Sequence, residues 1–207
     1  MEFSAPLIYP ILIIGGYLIG SLPTGYLAGV FIADVDLRQL GSGSTGATNV
    51  LRHLGRWAAL IVFIIDVLKG ALPILIAKSL NIEANWQVLA GLMAIIGHIW
   101  PIWLKGKGGK AVATGLGLFL GLSWHVGLAA LGIFLVIFSL TKTVSIASIL
   151  SSITLPFLML LSFQGSDFRP AYLFISIGTM GMVLWRHRSN LKRIKEGREP
   201  KIGSKQK

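Results

Sequence analysis

The apolar residues of this chain are gathered into runs about as long as a bilayer core is thick, and that clumping limits the fold more than any motif does. A small water-soluble core neither needs such runs nor could bury them. Of 207 residues, 54% are hydrophobic and only 13% are charged, about half the charge of a soluble domain. With no water in the bilayer to satisfy the backbone, runs of this length point to helices. The expected class is an all-α integral membrane protein.

Run length, interfacial Trp and charged breaks predict spans over residues 7–32, 57–77, 86–104, 111–122, 125–140, 144–163 and 171–185. The difficult stretch is 111–140, which reads either as one long helix or as two short ones meeting at Ser123-Trp124-His125. Charge decides for two. With two helices, Arg38, Arg52, Arg56, Lys105, Lys107, Lys110, Lys142 and the nine Lys and Arg from Arg186 onward share one side, leaving Lys78 and Arg169 opposite and Lys69 within a span. Basic loops favour the cytoplasm, so seven transmembrane helices are expected. The N-terminus, Glu2 and Asp167 lie outside in this arrangement, and the C-terminus is cytoplasmic. The fourth span, about 18 Å long at 1.5 Å per residue, is expected to pack partly against protein.

A single membrane-embedded domain over 1–207 is expected, with a basic tail at 186–207 whose first part forms a short surface helix. The first stretch opens on Glu2 and runs past the length of a signal h-region, so it is expected to stay as a span. The net charge of +11 reads as cytoplasmic loops rather than a nucleic-acid surface. Cys is absent, which excludes disulfides, thiolate nucleophiles and Cys-ligated metals. No internal repeat supports an inverted-repeat transporter.

Three segments hold most of the polar residues that hydropathy leaves unexplained. GSGSTGATNVLR at 41–52 formally matches GxGxxG, and Asp66 lies at a suitable distance, but a dinucleotide site needs a strand and a βαβ unit. A short membrane-flanking loop of glycines and small hydroxyl residues instead suits an anion, with Ser42, Gly43, Thr48, Asn49 and Arg52 as donors. In 97–115, Lys107-Gly108-Gly109-Lys110 resembles half a P-loop. The Walker pattern would need Gly at Leu104 and Ser or Thr at Ala111, so ATP hydrolysis is not expected. A glycine turn leading into a helix remains a phosphate cradle, with Lys110 adding charge. In 186–199, His187 and Asn190 share a helical face while the basic residues face lipid headgroups.

Weaker signals come from other polar residues. Asp66 and Lys69 suit an intramembrane ion pair, and His98 suits a hydrogen-bonded packing residue or a site-lining one. Ser145 and Ser148 open the sixth span as caps or substrate donors. No Asp, Glu and His cluster has metal-ligand spacing and no GxSxG elbow occurs, so neither a metal nor a serine triad is expected.

At these three segments the chain resembles the bacterial membrane glycerol-3-phosphate acyltransferases that use acyl phosphate. The pattern GSGNxGxTNxxR reads here as Gly41 to Arg52, with Ser44 for Asn. GHxxPxxxxFKGGKGVAT reads as Gly97 to Thr114, with Gly106 for Phe and Ala111 for Gly. HRxNIxRLxxGxE reads as His187 to Glu199, and Asp66, Lys69-Gly70 and Pro73 fit the second helix.

The resemblance implies transfer of a fatty acyl group from acyl phosphate to the 1-hydroxyl of sn-glycerol 3-phosphate. The products would be lysophosphatidic acid and phosphate, in the first acylation of phospholipid synthesis. It implies a multi-pass enzyme of the bacterial inner membrane with its site facing the cytoplasm and no cofactor. Membrane lipids and the soluble enzyme that makes acyl phosphate would be its partners. By position, Ser42, Arg52, Lys110, His187 and Asn190 would line the site, and Gly108-Gly109 would cradle the phosphate of either donor or acceptor. The base is either His187 or a substrate phosphate oxygen. The rival readings are a transporter or channel for an anionic metabolite, which would need polar residues through the midplane, and a membrane anchor for a cytoplasmic complex.

Overall fold

The computed structural model describes residues 5–162 and 169–203. Glu2, Phe163 and Asp167, which carry parts of the topology expectation, lie outside the described residues. Among the described residues the regular structure is helical, with no strand. The chain divides into two compact units, Met1–Leu122 and Ser123–Lys207.

In the first unit, the expected span 7–32 is not one helix but two, α1 (Ala5–Ser21) and α2 (Thr24–Ala33). Pro23 has no N–H to give and its ring crowds the preceding turn, so the ladder breaks there. α3 (Ala47–Leu54) is a short helix, α4 (Arg56–Ser79) is long, and α5 (Ala84–Ile99) ends shortly before a 3-10 turn at Ile102–Leu104. α6 (Val112–Leu122) has 11 residues, about 16 Å. It stops at Ser123, whose extended backbone (φ −150°, ψ 103°) separates it from α7. The stretch 111–140 is thus two helices rather than one.

The second unit contains α7 (Trp124–Thr141), α8 (Val144–Ser162), α9 (Pro170–Arg186) and α10 (Arg188–Lys195). α10 is the short basic helix expected of the tail. Among the described residues, five segments are long and apolar enough to cross a bilayer: Leu7–Ala33, Arg56–Ser79, Ala84–Leu104, Trp124–Thr141 and Val144–Ser162. α9, with 17 residues, reaches about 26 Å.

Burial follows the membrane pattern. α4 buries Asp66, Lys69, Gly70, Ala59 and Ala77 while exposing Leu60, Ile61, Ile64, Leu68, Leu72 and Leu75. α8 likewise buries Ser145, Ser148, Ser151 and Ser152 and exposes Leu150, Phe157, Leu160 and Leu161. A water-soluble helix would turn its leucines inward; here lipid takes them, and small and polar residues make the helix contacts.

Two of these contacts bring backbones together. Gly16 and Gly20 of α1 lie against Ala90 and Ala94 of α5, and a Cβ at Gly20 would fall on the Ala94 carbonyl. Gly70 and Gly117 do the same for α4 and α6, facing Thr114 and Val67. α6 also buries Thr114, Gly115, Gly117, Leu118, Phe119, Gly121 and Leu122. This short helix is therefore covered by protein along most of its length, as its 11 residues require.

Candidate active site

The loop after α2 is built around one side chain. Asn49, 1% exposed, donates from Nδ2 to the carbonyls of Leu37 and Leu40 at 3.0 Å each, and its Oδ1 accepts the Ser42 N–H at 3.2 Å. Its amide is thus a staple of the loop. The Gly43 N–H goes to Leu40 O at 3.0 Å, and Ser44 Oγ accepts the Gly46 N–H at 3.4 Å. In this structure the amides of Ser42 and Gly43 and the side chain of Asn49, all expected at the anion nest, are bonded within the loop. Gly41 (φ +56°) is needed because a Cβ there would meet Asn49 Oδ1 and His53 Nε2.

Side chains are what the loop offers a ligand. Ser42 is exposed, while Thr48 in the first turn of α3 and Arg52 in its last turn are half-buried. Among the described residues Arg52 has no carboxylate partner. Arg38 is engaged, gripping Asp36 through Nε (2.9 Å) and a second guanidinium nitrogen (2.6 Å). That guanidinium holds the Asp36 carboxyl below the usual carboxylate range against the opposing effect of burial, and Lys107 adds a smaller pull. Lys107 belongs to the second glycine segment, so the two loops share one end of this unit.

In that second segment the turn lies on the end of α5. The Gly108 N–H donates to Ile99 O at 3.2 Å and the Gly109 N–H to His98 O at 3.0 Å. A Cβ at Gly108 would strike the His98 carbonyl, and one at Gly109 the His98 ring. The two glycines therefore let the chain approach His98, and in this structure their amides rest on carbonyls at the end of α5. Lys110 follows, half-buried, and then Ala111 (φ +59°) immediately precedes α6. Gly106, where the acyltransferase pattern has Phe, adopts φ +75°, a conformation that suits Gly.

Beneath the turn is a polar cluster that sequence reading saw only in part. Lys69 Nζ lies 2.8 Å from Asp66 Oδ1, the ion pair expected in this helix, and Thr24 Oγ1 donates to the same oxygen at 2.6 Å. Lys69 also donates to Leu22 O at 2.9 Å, a carbonyl at the break between α1 and α2. A Pro-Thr pair inside an apolar run was the available signal.

The second unit holds the remaining candidates. His187, 3% exposed, joins α9 to α10, and its Nδ1 lies 2.8 Å from Val183 O. A carbonyl only accepts, so Nδ1 carries a proton and the neutral ring has its lone pair on Nε2. Asn190 donates to Glu199 Oε1 at 2.6 Å, Ser145 Oγ to the same oxygen at 2.8 Å, and Arg193 Nε to Oε2 at 2.7 Å. Burial alone would raise the Glu199 carboxyl, but these three donors outweigh it and hold the group below its usual range. Ser148 Oγ bonds back to Val144 O at 2.8 Å, as a helix-internal hydroxyl. Glu199 organises this corner, and its signal in the sequence is an acid closing a basic motif. No group of three His, Cys, Asp or Glu suited to a metal occurs among the described residues.

The family model described as glycerol-3-phosphate acyltransferase matches residues 10–197, through both units. The chain belongs to the glycerol-3-phosphate acyltransferase family. A glycerol-3-phosphate acyltransferase of Prochlorococcus marinus (strain MIT 9211) is 60% identical over 187 residues, 90% of this chain and 91% of the relative. One of Synechococcus sp. (strain CC9902) is 59% identical over 190 residues, 92% of this chain and 93% of the relative. The fold is similar to the crystal structure of PlsY (YgiH), an integral membrane glycerol 3-phosphate acyltransferase. In its glycerol 3-phosphate form the TM-score is 0.86 at 37% identity, covering 95% of this chain and 96% of that one. The lysophosphatidic acid form gives 0.85 at 36%. As a member of the glycerol-3-phosphate acyltransferase family the chain is a multi-pass membrane enzyme, an acyltransferase of phospholipid synthesis, and a transporter or channel is not favoured.

Proposed function

We propose that this acyltransferase moves a fatty acyl group from acyl phosphate to the 1-hydroxyl of sn-glycerol 3-phosphate, releasing lysophosphatidic acid and inorganic phosphate. The observation that carries the reading is the pair of loops at one end of the first unit. They present a half-buried Arg52 with no carboxylate partner among the described residues, and a half-buried Lys110 at the start of a helix. Partly dehydrated cations in a membrane enzyme suit substrates that each bear a phosphate.

In the step itself the 1-hydroxyl oxygen bonds to the acyl carbonyl carbon, and the bond from that carbon to the phosphate oxygen breaks. Acyl phosphate is a mixed anhydride with a good leaving group, so holding the two reactants in line supplies much of the acceleration. Arg52, Lys110, Ser42 and Thr48 bind phosphate, and Lys110 offsets charge growing on the departing one. The hydroxyl proton goes either to Nε2 of His187 or to an oxygen of the leaving phosphate. Asn190 and Ser145 serve this chemistry through Glu199, and Asn49, Gly43, Ser148, Gly108 and Gly109 by shaping the elements that carry the donors.

The same reading covers the setting. Residues 1–207 act as one acyltransferase domain, which the run of the family match through both units supports. Seven helices cross the bacterial inner membrane, with the N-terminus outside and the site and basic tail facing the cytoplasm. The break at Ser123 supports it, because the charge argument needs two helices at 111–140 rather than one. The soluble enzyme that makes acyl phosphate would then deliver it from the cytoplasm.

Purified protein supplied with acyl phosphate should release phosphate and form lysophosphatidic acid only when glycerol 3-phosphate is added. Phosphate release that ignores glycerol 3-phosphate, or acylation from acyl-CoA but not acyl phosphate, would refute the assignment. In His187→Ala, loss of an acid limb near the imidazole pKa marks His187 as the base. A lower rate with the profile unchanged in shape assigns the proton to the phosphate.

A further inference from the structure

Three elements meet on one buried carboxylate that the proposed chemistry does not use. Asp66, 1% exposed on α4, accepts from Thr24 at 2.6 Å, pairs with Lys69 at 2.8 Å and stands 3.8 Å from Nδ1 of His98. Lys69 in turn reaches Leu22 O at 2.9 Å. The cluster thus joins the break between α1 and α2, the middle of α4 and the end of α5.

Stability is a poor reason for such a cluster. Removing two charges from water costs about as much as their attraction returns, and well-packed apolar residues often serve as well. What an ion pair with fixed hydrogen bonds does supply is a defined geometry. The geometry here leads to one place: the His98 ring lies between the Asp66 carboxylate and the glycine turn. The Gly109 N–H rests on the His98 carbonyl, the Gly108 N–H rests on Ile99, and a Cβ at Gly109 would fall on the ring at Nε2. Lys110 is the next residue in the chain.

We propose that Asp66 and His98 are positioning residues: the carboxylate fixes the ring, the ring seats the Gly108-Gly109 turn, and the turn sets where the Lys110 ammonium stands. The proposal rests on the reading of Lys110 as a phosphate partner, and it assigns the deep ion pair of α4 to the active site without substrate touching it.

A double-mutant cycle on kcat/KM tests it, using the full-length enzyme with wild type, His98→Ala, Lys110→Ala and the double variant. His98→Ala should lower kcat/KM about a hundredfold, as expected when a group shifts by about 1 Å at a reacting centre. With Lys110 already Ala, the same substitution should change almost nothing, because the group it positions is gone. A purely structural part for His98 gives losses that multiply. Multiplying losses, or wild-type kcat/KM in His98→Ala, would overturn the proposal. If His98→Ala does not fold, Asp66→Asn takes its place in the cycle with the same expectations, since it keeps the side chain's size and an acceptor for Thr24. Full activity in Lys110→Ala would remove the assigned site itself and this proposal with it, whereas a damaged Lys110→Ala with multiplying losses would remove the positioning alone.

Discussion

Ala111 stands at φ +59°, 1% exposed, between the lysine of the glycine turn and the first residue of α6. A left-handed backbone costs a non-glycine residue about 1–2 kcal/mol. Changing it to Gly removes that strain but loses a buried methyl, worth about 0.8 kcal/mol, and loosens the unfolded chain by about 0.4–1 kcal/mol. The terms nearly cancel, so Ala111→Gly should leave both the unfolding midpoint in detergent and the turnover close to wild type. Ala111→Val adds a branched Cβ in a region such residues avoid and volume in a closed space, and should lower stability by about 2 kcal/mol or more. The two residues assigned to phosphate make a sharper case. Lys110→Ala and Arg52→Ala should each cut acyl transfer by about thirty- to a thousandfold, the loss of about 2–4 kcal/mol expected for a charge-assisted partner in a partly dry site. Both variants should elute from a sizing column as the wild type does, and near-normal turnover in the pair would refute the assignment. At this scale the sequence was legible in part. Residue types and spacing marked Arg52 and Lys110, but whether an amide faces a ligand or a neighbour depends on backbone contacts such as Gly109 to His98, which spacing does not encode.

The closing of the tail depends on a single carboxylate. Glu199, with 6% of its side chain exposed, takes Asn190, Ser145 and Arg193, and Ile202 N–H bonds to Lys142 O at 2.8 Å just beyond it. Asn190 lies on α10, Ser145 opens α8, and Lys142 ends α7, so three helices of the second unit are tied at one point. Glu199→Gln keeps the shape but turns one oxygen into an NH2 that faces a donor whichever way the amide is set. It should therefore destabilise by about 2 kcal/mol, read as a lower unfolding midpoint. Because the folded carboxyl is held below its unfolded value of about 4.3, its contribution is complete at neutral pH. It is lost only as pH falls through the lower folded value. The clamp should then stay shut down to about pH 4, and limited proteolysis of the tail should begin only below that. Helix existence was the most readable feature here, since apolar runs fix length and type. The divided first span was less so: Pro23 was visible, but a proline inside an apolar run either kinks a helix or ends it, and the Lys69 contact with Leu22 O that serves the break comes from a residue 47 positions away.

For the molecule as a whole, the prediction concerns sidedness. Cysteine introduced at Asp167 should react with an impermeant reagent in intact cells, and cysteine at Lys142 or Lys195 should react only after the membrane is opened. Labelling at Lys142 but not Asp167 would invert the topology. The membrane class could be read from composition because it rests on a sum over many residues. The pairing of α1 with α5 and of α4 with α6 could not, since glycines that admit a neighbouring backbone look in sequence like any other small residue. The ion pair in α4 also bears on how the chain is made. A lone Asp or Lys at the centre of a nascent helix costs about 2.5–3.5 kcal/mol to pass from the translocon into lipid. Asp66 and Lys69 are three residues apart and bonded within the same helix, so α4 can leave the channel with its two charges already matched. Leu22 and Thr24 emerge from the ribosome earlier than either. When α4 enters the bilayer, both partners of its buried charges are already there to receive it, and the order of synthesis becomes part of how this helix is lodged.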